Sequence, residues 1–140
     1  MQTNTYLYFE GQCEAALEYY RDHLGAEILV LQRHGDTPGG HAPQGQGRKV
    51  LHARIRIGDA VIMASDVSRP EPRAMQSFDI ALRTATADEA ERAFSALADG
   101  GAVSTPLQEN FFAVRYGSLK DRFGVPWAVL CEKTMPAQVS

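Results

Sequence analysis

The sequence predicts an α+β fold built from two tandem β-α-β-β-β modules. Three observations predict it. A strand–helix–strand pattern that opens at Thr3 starts again at Phe78, after a proline-containing stretch. The first helix exits through Leu24-Gly25-Ala26 and the second through Gly100-Gly101-Ala102. A turn followed by a final strand, Gly58-Asp59-Ala60-Val61-Ile62, has its counterpart in Gly124-Val125-Pro126-Trp127-Ala128. Modules of about 65 residues are too small to be stable alone, so the two are expected to pack as one domain over residues 1–140. Module 1 is expected over about 1–66, a linker over 67–75, module 2 over about 76–134, and a short tail after it.

Each element has a local reason. Thr3–Phe9 is rich in β-formers and reads as a strand, broken by Gly11. Ala16, Leu17, Tyr20 and Leu24 then recur at helical spacing, so Gln12–Leu24 reads as a helix with Gly25 as its stop. Ala26–Gln32 is a second strand. His34–Lys49 holds five glycines and two prolines and reads as a long loop: a lid, an intersubunit arm, or disorder in its middle. Val50–Ile57 and Ala60–Ser65 are strands joined by the two-residue turn Gly58-Asp59. Asp66–Met75, with two prolines, reads as linker. In the second module Phe78–Thr84 is a strand, and Thr86 with Glu89 forms a capping box opening a helix over Ala87–Asp99. Ala90, Phe94 and Leu97 mark its buried face. Ala102–Thr105, Phe111–Tyr116 and Pro126–Cys131 complete the strands, the last two joined by a turn around Lys120–Gly124.

Composition removes several function classes. Lys plus Arg is 14 and Asp plus Glu is 17, a net charge of −3. With no basic run, nucleic-acid binding is not expected, because phosphate neutralisation needs clustered cations. The longest apolar stretch, Ala60–Ala64, is too short to cross a bilayer, and no signal-peptide pattern opens the chain, so a cytoplasmic location is expected. Cys13 and Cys131 belong to no CxxC motif and are expected to be buried thiols. Gly45-Gln46-Gly47 lacks the Lys-Ser/Thr of a phosphate-binding loop.

The module order, together with particular stretches, resembles a known family. These are Tyr6-Leu7-Tyr8-Phe9, Cys13-Glu14-Ala15-Ala16, His52-Ala53, Gly58-Asp59 with Ile62-Met63 and Ser65-Asp66, Ala90-Glu91-Arg92, Gly100-Gly101 and Phe123-Gly124-Val125-Pro126-Trp127. In order and spacing they resemble the PhnB-like branch of the vicinal oxygen chelate superfamily, which includes glyoxalases, extradiol dioxygenases and bleomycin-resistance proteins. The resemblance implies that the strands curl into a U-shaped cavity with the helices outside, and that the protein is a homodimer. Members of this branch often carry the label 3-demethylubiquinone methyltransferase, but no strand–Gly-rich-loop–helix cofactor site is visible here. In metal-dependent relatives the ligands lie on the first and last strand of each module. Carried over one at a time, those places fall at Thr5, Met63, Asp79 and Ala128. Only Asp79 suits a hard cation, and catalytic zinc wants three protein ligands. No metal and no other cofactor is therefore expected; a displaced set around His52 and Asp79 is the alternative.

Strand alternation about the Gly58-Asp59 turn sorts the remaining candidates. Ile55, Ile57, Ile62 and Ala64 share one apolar face suited to the first helix. His52, Arg54, Arg56, Val61, Met63 and Ser65 share the other, which faces the cavity. The same reasoning places Thr5 and Leu7 inward, Tyr6 and Tyr8 under a helix, Phe78, Ile80 and Leu82 in the core, and Asp79, Ala81 and Arg83 inward. Apolar walls with a few polar anchors suit a small-molecule ligand, and arginines favour an anionic one. His52 is the candidate acid/base, because an imidazole ordinarily titrates near neutrality. Arg54, Asp79, Met63, Ser65 and Thr5 are the candidate ligand-binding residues. The bland alternatives are a partly buried structural His52 and an Arg54–Asp79 ion pair. Trp127 is expected in the core and His23 at the surface. Three functions stand open: the first is a metal-independent enzyme acting on a small anionic metabolite, and the second a binding protein that sequesters its ligand. A metal-dependent lyase or dioxygenase with displaced ligands is the third.

Overall fold

The structure, a computed structural model, describes residues 1–36 and 45–134. The chain divides into two compact units, Met1–Pro72 and Arg73–Ser140. Each contains β-α-β-β-β, the α+β arrangement expected from the sequence. The middle of the glycine-rich loop, with His41, lies outside the described residues.

The first unit consists of β1 (Tyr6–Phe9), α1 (Cys13–Leu24), β2 (Glu27–Arg33), β3 (Val50–Ile57) and β4 (Ala60–Asp66). Its sheet order is β1-β4-β3-β2, with β1 parallel to β4 and the other pairs antiparallel. Cys13, Ala16, Leu17 and Tyr20 form the buried stripe of α1. They pack on the buried strand residues Leu7, Phe9, Ala53, Ile55, Ile62 and Ala64. Fully burying a side chain such as Leu17 or Ile55 contributes about 2 kcal/mol. Gly25 ends α1 in the left-handed region, φ 68°, as its place after the last apolar residue implies.

The start of α1 is made differently. Gln12 provides no side-chain cap. Instead the carboxylate of Asp66, at the end of β4, accepts from Gly11 N at 2.8 Å and Cys13 N at 3.0 Å through Oδ1. Its Oδ2 accepts from Val50 N at 3.0 Å. Asp66 is 5% exposed. One buried carboxylate thus ties together the helix start, the start of β3 and the end of β4.

The second unit consists of β5 (Ile80–Arg83), α2 (Ala87–Ala98), β6 (Ala102–Gln108), β7 (Ala113–Lys120) and β8 (Pro126–Glu132), in the order β5-β8-β7-β6. The capping box is present: Thr86 Oγ1 accepts from Glu89 N at 3.1 Å. Ala90, Phe94 and Leu97 are the buried residues of α2, as expected. Phe94 reaches β7 because position 117 is glycine; a Cβ there would stand 2.7 Å from its ring. Trp127 is buried, and its Nε1 donates at 2.9 Å to Asp121, which also accepts from Phe123 N and Val125 N.

Several boundaries differ from the sequence reading. β6 runs on to Gln108 through Pro106, which an edge strand tolerates because its outward N–H needs no partner. β7 begins at Ala113 and not at Phe111, because Asn110 Oδ1 accepts from Phe112 N and Ala113 N and turns the chain there. β5 begins only at Ile80, leaving Phe78 exposed and not in the core. Both cysteines are free and buried, as expected, and no helix among the described residues is long and apolar enough to cross a membrane.

Asp66→Ala leaves three N–H groups, those of Cys13 and Val50 buried, without an acceptor. The expected loss is on the order of 3 kcal/mol or more, read as a lower midpoint in urea unfolding. Burial pushes the Cys13 thiol up to about 12, with the Asp66 and Glu14 carboxylates adding to the shift. The sign follows: the folded state keeps a proton that the unfolded chain releases near the ordinary thiol value of 9.0. The stability this contributes at lower pH is lost as pH climbs from there through about 12. In native protein at pH 8, Cys13 should resist a thiol-alkylating reagent and react only on unfolding.

Candidate ligand-binding face of the first sheet

The β3–β4 turn sets the register on which the candidate residues depend. Arg54 lies opposite Met63, Ile55 opposite Ile62, and Ile57 opposite Ala60, as the Gly58-Asp59 turn requires. Since Ile55, Ile62 and Ala64 are buried beneath α1, the alternate residues His52, Arg54, Val61, Met63 and Ser65 occupy the face that α1 does not cover.

β1 departs from expectation by one residue. Tyr6, not Thr5, lies opposite Met63, and Leu7 lies opposite Ala64. Leu7 is therefore buried with the α1 core, at 3% exposure, and Tyr6 and Tyr8 join His52 on the open face. Thr5 lies one residue ahead of the strand, where its carbonyl accepts from Met63 N at 2.9 Å. The phase of β1 is fixed by pairing with β4. Its own sequence, Tyr-Leu-Tyr-Phe, has large apolar rings on both sides and no polar alternation to read.

The result is an aromatic platform beside a histidine. The Tyr6 and Tyr8 rings stack at 4.8 Å between centroids, 19° from parallel. Tyr6 Oη and His52 Nδ1 are hydrogen-bonded at 2.9 Å. Burial pushes the Tyr6 phenol above its ordinary value, neighbouring Tyr8 adds to this, and the Ser65 hydroxyl holds it back. The guanidinium of Arg69 sits 5.9 Å over the Tyr8 ring. Sequence reasoning missed Tyr6 and Tyr8; the available signal was their i, i+2 spacing, which puts both on one face of a strand.

The cations divide into two groups. Arg56, on the same face, is paired with Glu27 at 2.7 Å, and Arg83 lies 3.6 Å from Glu132; both pairs are exposed. Arg54 is exposed and has no ion-pair partner among the described residues. Ser65 is buried at 6% exposure, and its hydroxyl donates to Leu51 O at 2.9 Å. It borders a cavity of about 370 Å³ at the ends of β3 and β4, whose rim includes His34 and Lys49. Asp79 belongs to the second unit, where it is exposed and lies one residue ahead of β5.

The carried-over metal places offer poor donors. Met63 presents a thioether opposite Tyr6, and Ala128 presents a methyl opposite Ala81. A catalytic divalent ion wants several N or O donors. Among the described residues, no three His, Cys, Asp or Glu side chains gather closely enough to hold one.

The profile of the Glyoxalase/Bleomycin resistance protein/Dioxygenase superfamily matches residues 2–129. Protein YjdN of Escherichia coli is 33% identical over 147 residues, spanning 99% of this chain and all of that protein. The crystal structure of PA1353 from Pseudomonas aeruginosa superposes with a TM-score of 0.85 at 38% identity, over 96% of this chain and 99% of that one. A Bacillus cereus PhnB protein, titled a putative 3-demethylubiquinone-9 3-methyltransferase, gives 0.78 at 26% identity, over 94% and 99%. The chain belongs to the Glyoxalase/Bleomycin resistance protein/Dioxygenase superfamily, with PhnB-like proteins among its structural neighbours.

Proposed function

We propose that this superfamily member binds a small oxyanion-bearing metabolite, a carboxylate or a phosphate, on the open face of its first sheet. The observation that supports this most directly is Arg54, exposed and without an ion-pair partner among the described residues, two residues along β3 from a histidine held by Tyr6. A guanidinium that no carboxylate neutralises is matched to an anionic ligand. The Tyr6–Tyr8 stack and Met63 supply an apolar wall for the rest of the molecule. Lys49, at the rim of the adjoining cavity, adds a second cation.

Catalysis, where there is any, falls to His52, without a metal. The donor chemistry at Met63 and Ala128 supports that reading. The methyltransferase wording attached to the Bacillus cereus relative is not adopted. β1 passes to α1 through Glu10-Gly11-Gln12, which is not a glycine-rich nucleotide loop. We also propose a homodimer, because β1 is an edge strand of its sheet with Tyr8 exposed, and such edges are normally covered.

Titration with small carboxylates and phosphates against their neutral analogues tests the anionic preference. Arg54→Ala should weaken binding at least about fivefold, the scale of a lost charge-assisted hydrogen bond. Equal affinity for a neutral analogue would overturn the reading. His52→Ala separates the two activities: in an enzyme it lowers turnover more than affinity, and in a sequestering protein it lowers affinity alone. Sedimentation at micromolar concentration should give twice the chain mass.

A further inference from the structure

The Tyr6–His52 hydrogen bond has a direction, and that direction decides which imidazole nitrogen carries the proton. In neutral imidazole one nitrogen donates and the other accepts. A phenol is a strong donor and a weak acceptor, whereas a bare imidazole nitrogen is a strong acceptor. At 2.9 Å between Oη and Nδ1, the favoured arrangement has the phenol donating. The surroundings agree. Burial keeps the Tyr6 phenol protonated beyond its ordinary range. The Ser65 hydroxyl, 2.9 Å from Leu51 O, also hydrogen-bonds the Tyr6 phenol and opposes the rise of its pKa, the effect of a donor at the phenol oxygen, which leaves the phenol's own proton for Nδ1. Stacking on Tyr8 holds the Tyr6 ring in place. Among the described residues no other group hydrogen-bonds the His52 ring, and its Nε2 is not a buried unpartnered atom.

We infer that Tyr6 is a positioning residue that donates to Nδ1 and holds neutral His52 in its Nε2–H tautomer, so that His52 meets the ligand as a hydrogen-bond donor and not as a base. The ligand half of this rests on the binding reading given above and deepens it. The group facing Nε2 is then an acceptor, such as a carboxylate or phosphate oxygen, with Arg54 available to the same anion. A ligand whose recognition depends on surrendering a proton to His52 is excluded.

The test is two-bond proton–nitrogen NMR on the full chain, at a pH where imidazole is neutral. Wild-type protein is expected to show unprotonated Nδ1 and protonated Nε2 at His52. Tyr6→Phe should lose that bias and give an averaged ring, while Tyr8→Phe, which disturbs the stack but not the bond, should keep it. A protonated Nδ1 in the wild type, or an unchanged tautomer in Tyr6→Phe, would overturn the inference. Inorganic phosphate then probes the ligand half. It should move the His52 Nε2–H signal, and binding should fall several-fold in Tyr6→Phe. His52→Gln, which retains an N–H donor, should bind phosphate better than His52→Ala; no difference between them counts against the donor role. The stated tautomer with no response to phosphate overturns the binding reading and leaves the role of Tyr6 supported. Phosphate binding with the opposite tautomer overturns the role of Tyr6 alone.

Discussion

A single buried carboxylate organises the first unit. Asp66 sits at 5% exposure and gathers N–H groups from the β1–α1 connection, from α1 itself and from the first residue of β3. Burying a carboxylate is costly unless charge-assisted hydrogen bonds replace its water. Three such bonds, each contributing about 1.5–3 kcal/mol, do so. The arrangement also solves a local problem. α1 starts at Cys13 without a capping side chain of its own, and Asp66 places negative charge where the helix dipole and free N–H groups favour it.

The second unit meets similar demands by other means. α2 has a local cap, Thr86, and needs no distant carboxylate. Its buried acid is Asp121, which closes the β7–β8 turn and receives the Trp127 indole N–H at 2.9 Å. The two modules share strand order and helix placement but not the polar contacts that pin them.

This difference explains what was legible in the residues. Local signals read correctly: the Thr86–Glu89 box, the Gly25 stop, the Gly58-Asp59 turn with its register, and the Ala90-Phe94-Leu97 stripe. Each is set within a few positions along the chain. Tertiary signals did not read. Asp66 looked like the start of a linker, because its partners lie 16 to 55 positions away. β1 alternation read from its sequence is one residue out of phase, because a parallel partner and not its own alternation fixes which side chains face α1. The error moved Tyr6 and Tyr8 from the core to the open face and Leu7 the other way. β6 and β7 differ from the sequence reading at their ends, where an edge proline and an Asn110 turn override β-propensity.

The open face follows from these constraints in sequence. The Asp66 contacts anchor the β1–α1 connection and the start of β3 against the end of β4. Pairing with β4 then sets the phase of β1, with Tyr6 beside Met63. With the apolar residues of β1, β3 and β4 committed to α1, the alternate positions are left with what a helix does not cover: two stacked tyrosines, a histidine, a thioether and a guanidinium. Arg56, at one end of that row, is neutralised by Glu27. Arg54, nearer His52, has no such partner among the described residues. Exposure to solvent does not account for the imidazole two residues along β3 from this arginine, bonded at 2.9 Å to a stacked phenol. Fixing a histidine ring brings no advantage to a surface that only meets water, because water accepts and donates equally well. It matters where one face of the ring must present one kind of hydrogen-bonding atom, and that requirement connects the packing of the first unit to the ligand recognition proposed above.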